Sequence, residues 1–119
     1  MIAVRDIAWA AGFLEGEGCF YSFQTLRVSA NQKQKEPLKR MQKLFGGSIN
    51  QSHAKSTFGQ FVWLVTGIRA AGVMMTIYLF MSPKRKQEIF TPLQEWKKAP
   101  GRGAHNRGNK PRTTSYSKP

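Results

Sequence analysis

The sequence predicts a single α+β unit, and three observations predict it. The apolar spacing switches between helical and strand periods from one segment to the next, and no segment repeats. The 119 residues, 40% of them hydrophobic and 12% aromatic, suffice for one core of ordinary size. The expected order is α, β or ββ, α, β, β, α, α over residues 1–98, followed by a basic tail over 99–119.

The first helix is expected from Asp6 to Glu17, because Ile7, Ala10, Ala11, Phe13 and Leu14 fall at helical spacing. Asp6 is placed as its N-cap and Gly18 as a left-handed stop. Leu26, Val28 and Ala30 then alternate with Arg27, Ser29 and Asn31, the pattern of a strand with one wet face. No Asn-Gly or Asp-Gly turn lies in residues 19–25, so a separate preceding strand stays open. The second helix is expected to begin with Pro37, to carry Leu38, Met41, Leu44 and Phe45 inward, and to end at Gly46-Gly47.

Two strands, over 48–53 and 60–66, flank a polar turn over 55–59 and are expected to pair antiparallel. Residues 68–81 read as a helix that is apolar almost all round and hence buried. Ser82 and Pro83 are placed as N-cap and first residue of a last helix carrying Ile89, Phe90, Leu93 and Trp96, with Pro92 expected to kink or divide it. From Ala99 onward the chain has no acidic residue and no Leu, Ile, Val, Phe or Met, so the tail is expected to be disordered when unbound.

Lys and Arg total 19 against six Asp and Glu, a formal net charge of +13, which points to a polyanionic partner. One cysteine and two histidines exclude an intramolecular disulfide and a four-ligand zinc site. The first residues lack the basic-then-apolar order of a secretory signal, and no apolar run reaches the ~20 residues of a membrane span. The expectation is an intracellular protein, not secreted and without a membrane partner.

Three of the six carboxylates, Asp6, Glu15 and Glu17, lie in or beside the first helix. Glu17 stands in its last turn, where the macrodipole disfavours an anion by on the order of 0.3–1 kcal/mol. Gly16 and Gly18 leave its surroundings bare, so a metal or a phosphate can come close. Glu15 and Glu17 are about 200° apart around a helix, so only one of them serves a given site. Gly12 and Gly16 share one face at the spacing that lets two helices touch along their backbones. Such a pair brings two copies of Glu17 together, where they repel unless a divalent cation lies between them.

Ala10-Ala11-Gly12-Phe13-Leu14-Glu15-Gly16-Glu17-Gly18 resembles the nine-residue signature of the LAGLIDADG homing endonucleases. It matches directly at Ala11, Gly12 and Gly18, and by class at Leu14, Glu15 and Glu17. The context agrees: Gly18-Cys19-Phe20, then Leu38 to Leu44-Phe45-Gly46-Gly47, then Phe61-Val62-Trp63, then Lys84-Arg85-Lys86-Gln87. The resemblance spans about residues 5–97. It implies an αββαββα core with a saddle-shaped antiparallel sheet seated on double-stranded DNA. The single signature resembles the members that act as homodimers on near-palindromic sites, with Ala11, Gly12, Leu14, Glu15 and Gly16 at the dimer interface.

The activity implied is a site-specific, Mg²⁺-dependent double-strand DNA endonuclease, other divalent cations serving too, encoded within a mobile intron or a phage genome. Glu17 is the implied metal ligand, Lys84 the cation near the scissile phosphate, and Gln32, with Asn31 as the alternative, the residue that orients water. For DNA contact the candidates are Tyr21, Gln24, Arg27, Ser29, Asn31, Lys33, Gln51, His53, Lys55, Arg85 and Lys86. Two departures stand out: Glu17 replaces the commoner Asp, and the first hairpin is short for the family. The competing reading is a non-catalytic nucleic-acid binder on the same scaffold, an intron maturase or a transcription regulator.

Overall fold

The computed structural model describes residues 2–98; the basic tail expected over 99–119 lies outside the described residues. The chain runs α1 (Val4–Glu17), β1 (Gly18–Phe23), β2 (Thr25–Gln32), α2 (Lys35–Phe45), β3 (Ser48–Gln51), β4 (Phe61–Thr66), α3 (Gly67–Ile77) and α4 (Pro83–Lys98). Short 3-10 turns occupy Lys55–Thr57 and Tyr78–Phe80. The strands make one antiparallel sheet in the order β1-β2-β4-β3. This is the αββαββα order with a further helix, α4, behind it.

Strand alternation splits the sheet into two faces. Phe20, Leu26, Val28, Ala30, Trp63 and Val65 are buried under the helices. Their neighbours Cys19, Tyr21, Phe23, Arg27, Asn31, Val62 and Leu64 occupy the opposite face, away from that core. The core is completed by Ala10, Ala11 and Leu14 of α1, Leu38 and Met41 of α2, Ala70, Val73, Met74 and Ile77 of α3, and Ile89 of α4.

Several boundaries differ from the sequence reading, each for a physical reason. α1 starts two residues early, with Ala3 as N-cap, because the Asp6 carboxylate pairs with Arg40 at 3.2 Å instead of capping. Gly18 is extended (φ −74°), the first residue of β1, and not a left-handed stop. Glycine is required there by proximity: a Cβ would stand 2.6 Å from the Leu14 carbonyl oxygen. β1 is a strand of its own, joined to β2 through Gln24 at φ 66°, a left-handed turn without glycine. α2 begins at Lys35, so Pro37 lies in its first turn, where a missing N–H leaves no bond unmade.

Gly46 and Gly47 end α2 as expected, both at positive φ, and the Trp63 indole N–H donates to the Gly46 carbonyl at 2.8 Å. β3 stops at Gln51, which leaves His53 in the loop. α3 is apolar all round but not buried all round. Ile68 and Met75 of α3 are 79% and 61% exposed, and Leu79 in the 3-10 turn that follows is 82% exposed, because no element among the described residues covers them. α4 runs unbroken across Pro92, whose ring is buried against the core.

Candidate nucleic-acid interface

The end of α1 and the start of α4 are clamped together by the Glu15 carboxylate, which accepts from the Ser82 backbone N–H at 2.9 Å and from the Ser82 hydroxyl at 2.7 Å. The same hydroxyl accepts from the Arg85 N–H at 3.3 Å, so Ser82 caps α4 as expected. Arg85 turns back over α1: its Nε donates to the Glu15 carbonyl at 2.9 Å, its Nη1 pairs with Glu88 at 2.8 Å, and its guanidinium lies 5.6 Å from the Phe20 ring. A cation thus stands on the negative end of the α1 macrodipole. The Ser82 N–H, then its hydroxyl, and last the charge of Arg85 hold the Glu15 carboxyl below its usual range, against partial desolvation that raises it.

This arrangement divides the two signature acids. Glu15 is consumed by the clamp, whereas Glu17, two residues on, is exposed and makes no ion pair or side-chain hydrogen bond within the described residues. Lys84, two residues beyond Ser82, is likewise exposed and unpaired there. The clamp joins the end of α1, which carries the free Glu17 carboxylate, to the start of α4, which carries the free Lys84 ammonium. Among the described residues no three His, Cys, Asp or Glu side chains come together, so one chain brings a single free carboxylate to the end of α1.

Asn31 and Gln32 end β2. Glu17 precedes Gly18, whose strand partner is Ala30, and Asn31 follows Ala30, so each lies one residue in sequence beyond the last β1–β2 pair. Asn31 belongs to the open face. Gln32, paired with Phe61, falls on the helix side by alternation, which places the two water-orienting candidates on opposite faces.

Tyr21, Arg27, Ser29 and Asn31 all lie on the open face, although Ser29, between Cys19 and Leu64, is buried by its neighbours. Gln24 stands at the hairpin tip. His53 and Lys55 are exposed in the β3–β4 connection and Lys33 after β2, all at the Glu17 end of the sheet. Three placements depart from the sequence reading. Gln51 shares the side of Ile49, so Asn50 takes its place on the open face. The Arg85 guanidinium is spent within the chain and is not free for a partner. Lys86 is half-buried, its Nζ 5.5 Å over the Tyr78 ring.

The outer face of α1 is also selective. Ala11 and Leu14 are buried in the chain's own core and Glu15 is clamped, so three of the five expected interface residues face inward or are engaged. Gly12 and Gly16 remain exposed with nothing within 4 Å of a Cβ at either, and Ala8 extends their stripe. Beside the stripe, Trp9 stacks on Phe13 at 5.4 Å and is covered by Arg40. Sequence reasoning missed Asn50, Val62, Leu64 and Ala8. The β4 pair follows from alternation once Trp63 and Val65 are set inward.

No family model matches the sequence, and no curated protein matches it. Solved structures do match. I-CvuI, a homing endonuclease bound to its target DNA in the presence of calcium, superposes with a TM-score of 0.67 at 21% identity, over 82% of this chain and 71% of that one. The same enzyme with the I-CreI target and magnesium, the DNA uncleaved, gives 0.70 at 20% identity, over 85% and 73%. I-CeuI, a group I intron-encoded homing endonuclease complexed with DNA, gives 0.62 at 14%, over 82% and 56%.

The fold is that of the LAGLIDADG homing endonucleases. Within it, the signature-like segment Ala10–Gly18 forms the second half of α1 and the first residue of β1, and it carries both the glycine face and the free carboxylate. No helix among the described residues is long and apolar enough to cross a membrane.

Proposed function

We infer that this chain is a site-specific, divalent-metal-dependent double-strand DNA endonuclease that acts as a homodimer on a near-palindromic site. The observation that carries the reading is the division of labour between Glu15 and Glu17. A fold that spends one signature acid on a clamp and leaves the next unpaired among the described residues keeps a carboxylate where a pure DNA binder gains nothing from one, since it repels phosphate.

The donor set fits a divalent cation only in pairs. One chain offers one exposed Glu17, and two chains meeting along Ala8, Gly12 and Gly16 offer two, hard oxygen ligands suited to Mg²⁺. The cation's chemistry, when bound, is to lower the pKa of water and to offset charge on the phosphate. The protein's own residues do the rest. Lys84 neutralises charge that develops on the phosphate oxygens, Gln32 at the end of β2 holds a water by its amide, and Gly12 and Gly16 set the spacing of the two centres. Lys33, Lys35 and Lys55 contact phosphates around the sheet. The exposed free thiol of Cys19 accords with a reducing intracellular compartment, and a mobile intron or phage genome accords with the endonuclease reading.

The test is cleavage of a randomised duplex library in Mg²⁺ and in EDTA, with the new ends sequenced, by the wild type and by Glu17→Gln. Metal-dependent ends at a near-palindromic site, absent with the variant, support the nuclease. Binding without ends in any metal supports the maturase or regulator reading instead.

A further inference from the structure

The open sheet face has a composition at odds with the rest of the chain. The protein carries 19 Lys and Arg, yet Arg27 is the only charged residue among the strand positions of that face. Its other large groups are Val62, Leu64, Tyr21 and Phe23, and its amides are Asn31 and Asn50. We propose that this face reads a half-site directed to A·T pairs, with a single guanine position, through thymine methyls at Val62, Leu64 and Phe23, adenines at Asn31 and Asn50, and one guanine at Arg27. The proposal rests on the DNA-cleaving reading above and names the substrate within it.

The strand register orders these contacts. Asn31, Val62 and Asn50 are directly opposite one another across β2, β4 and β3, in the row just beyond the Gly18–Ala30 pair. Leu64 stands in the following row between Ser29 and Ser48, Arg27 in the next between Tyr21 and Thr66, and Phe23 opposite Thr25 at the tip. Rows two residues apart are separated by ~6.7 Å, about two base-pair steps, so the order away from the cut is adenine and thymine, thymine, guanine, thymine.

Chemistry assigns each row. In the major groove thymine is distinguished by its methyl group, which an aliphatic side chain contacts, and adenine by the donor–acceptor pair that an Asn amide matches. A guanine presents two acceptors, which suit a guanidinium held in plane. Arg27 is held so: its Nε donates to the Phe23 carbonyl at 3.1 Å and its guanidinium lies 5.7 Å from the Phe23 ring, while both Nη groups make no hydrogen bond within the described residues. Within the described residues Asn31 makes no side-chain bond, and Asn50 makes only a weak one to Ser48 at 3.5 Å. Backbone phosphates are left to the lysines outside the face, Lys33 and Lys55 among them.

The test selects sites from a randomised duplex library with the full-length wild type in EDTA, then measures affinity for the selected duplex with thymine replaced by uracil, position by position. Loss of one contacted methyl is expected to weaken binding about fourfold. Leu64→Ala is expected to erase that sensitivity at its own position only. Arg27→Ala is expected to relax one guanine by about 10- to 100-fold, and Arg27→Lys to restore part of it. A selected site rich in G·C opposite Val62 and Leu64, or one indifferent to uracil, overturns the proposal while leaving the endonuclease reading in place. Failure to retain any duplex overturns both, and then a protein is the partner to seek for the apolar face.

Discussion

Glu15 and Ser82 are joined by two hydrogen bonds, the Ser82 N–H at 2.9 Å and its hydroxyl at 2.7 Å, on separate oxygens of one carboxylate. The contact bridges α1 and the start of α4 across 67 residues of chain. It holds the Glu15 proton more weakly in the folded than in the unfolded protein. Its stabilisation is therefore complete above the unfolded glutamate value of about 4.3 and lost as pH falls through the lowered folded value. Thermal melts from pH 7 down to pH 2 are expected to show this loss, and Glu15→Gln to flatten the profile in that window. Ser82→Ala, which also removes the α4 cap, is expected to destabilise by about 0.5–2 kcal/mol at neutral pH in chemical denaturation.

Glu17→Gln is expected to behave in the opposite way to Glu15→Gln. Glu17 is exposed and makes no ion pair among the described residues, so its melting temperature should match the wild type. Metal-dependent cleavage should disappear, while affinity for duplex DNA is kept or rises as a charge that repels phosphate is removed. A parallel loss of stability would assign Glu17 to the framework.

These two acids also mark how far the sequence alone reaches. Helix geometry already sets Glu15 and Glu17 on different faces, but that Glu15 is the engaged one depends on Ser82, 67 residues away, which no local pattern announces. The resemblance of the signature placed the helix, the glycine face and the free acid, but not the clamp. The first hairpin was illegible because its turn is made by Gln24 in a left-handed conformation that sequence rules reserve for Gly or Asn. The outer face of α3 and the turn after it misled for another reason: periodicity reports that Ile68, Met75 and Leu79 are apolar, and not whether anything covers them. Arg85 looked like a surface cation in a basic run until its guanidinium was seen on the Glu15 carbonyl.

Lys84→Met is expected to lower the cleavage rate at saturating DNA on the order of 10²–10³-fold, the usual effect of removing one donor that offsets developing charge. The loss in affinity should be small, because one exposed ammonium is a minor part of the electrostatic attraction of a chain with net charge +13. Single-turnover rates beside equilibrium binding separate the two. Arg85→Met should instead unfold more easily, since it uncouples the Glu15 carbonyl and Glu88.

Trp63 ties the end of α2 to β4, its indole N–H donating to the Gly46 carbonyl at 2.8 Å while its side chain is fully buried. Trp63→Phe keeps most of the apolar volume but leaves that carbonyl without its partner, and should destabilise by about 1–3 kcal/mol in urea titration. Cleavage per folded molecule should not change, because Glu17 and Lys84 lie on other elements.

Gly12→Leu tests the geometry on which the paired carboxylates depend. A Cβ at position 12 meets nothing within 4 Å among the described residues, so the monomer should fold as well as the wild type or better, a helical glycine having been replaced. The same side chain stands in the middle of the Ala8, Gly12, Gly16 stripe and forces two α1 helices apart. Sedimentation is expected to report a dimer for the wild type and a monomer for the variant, and double-strand cleavage should fall with it, because one chain supplies a single Glu17. A dimer that persists with Gly12→Leu would move the interface elsewhere, to the exposed Ile68 and Met75 of α3 and Leu79 of the turn after it as the next surface to mutate.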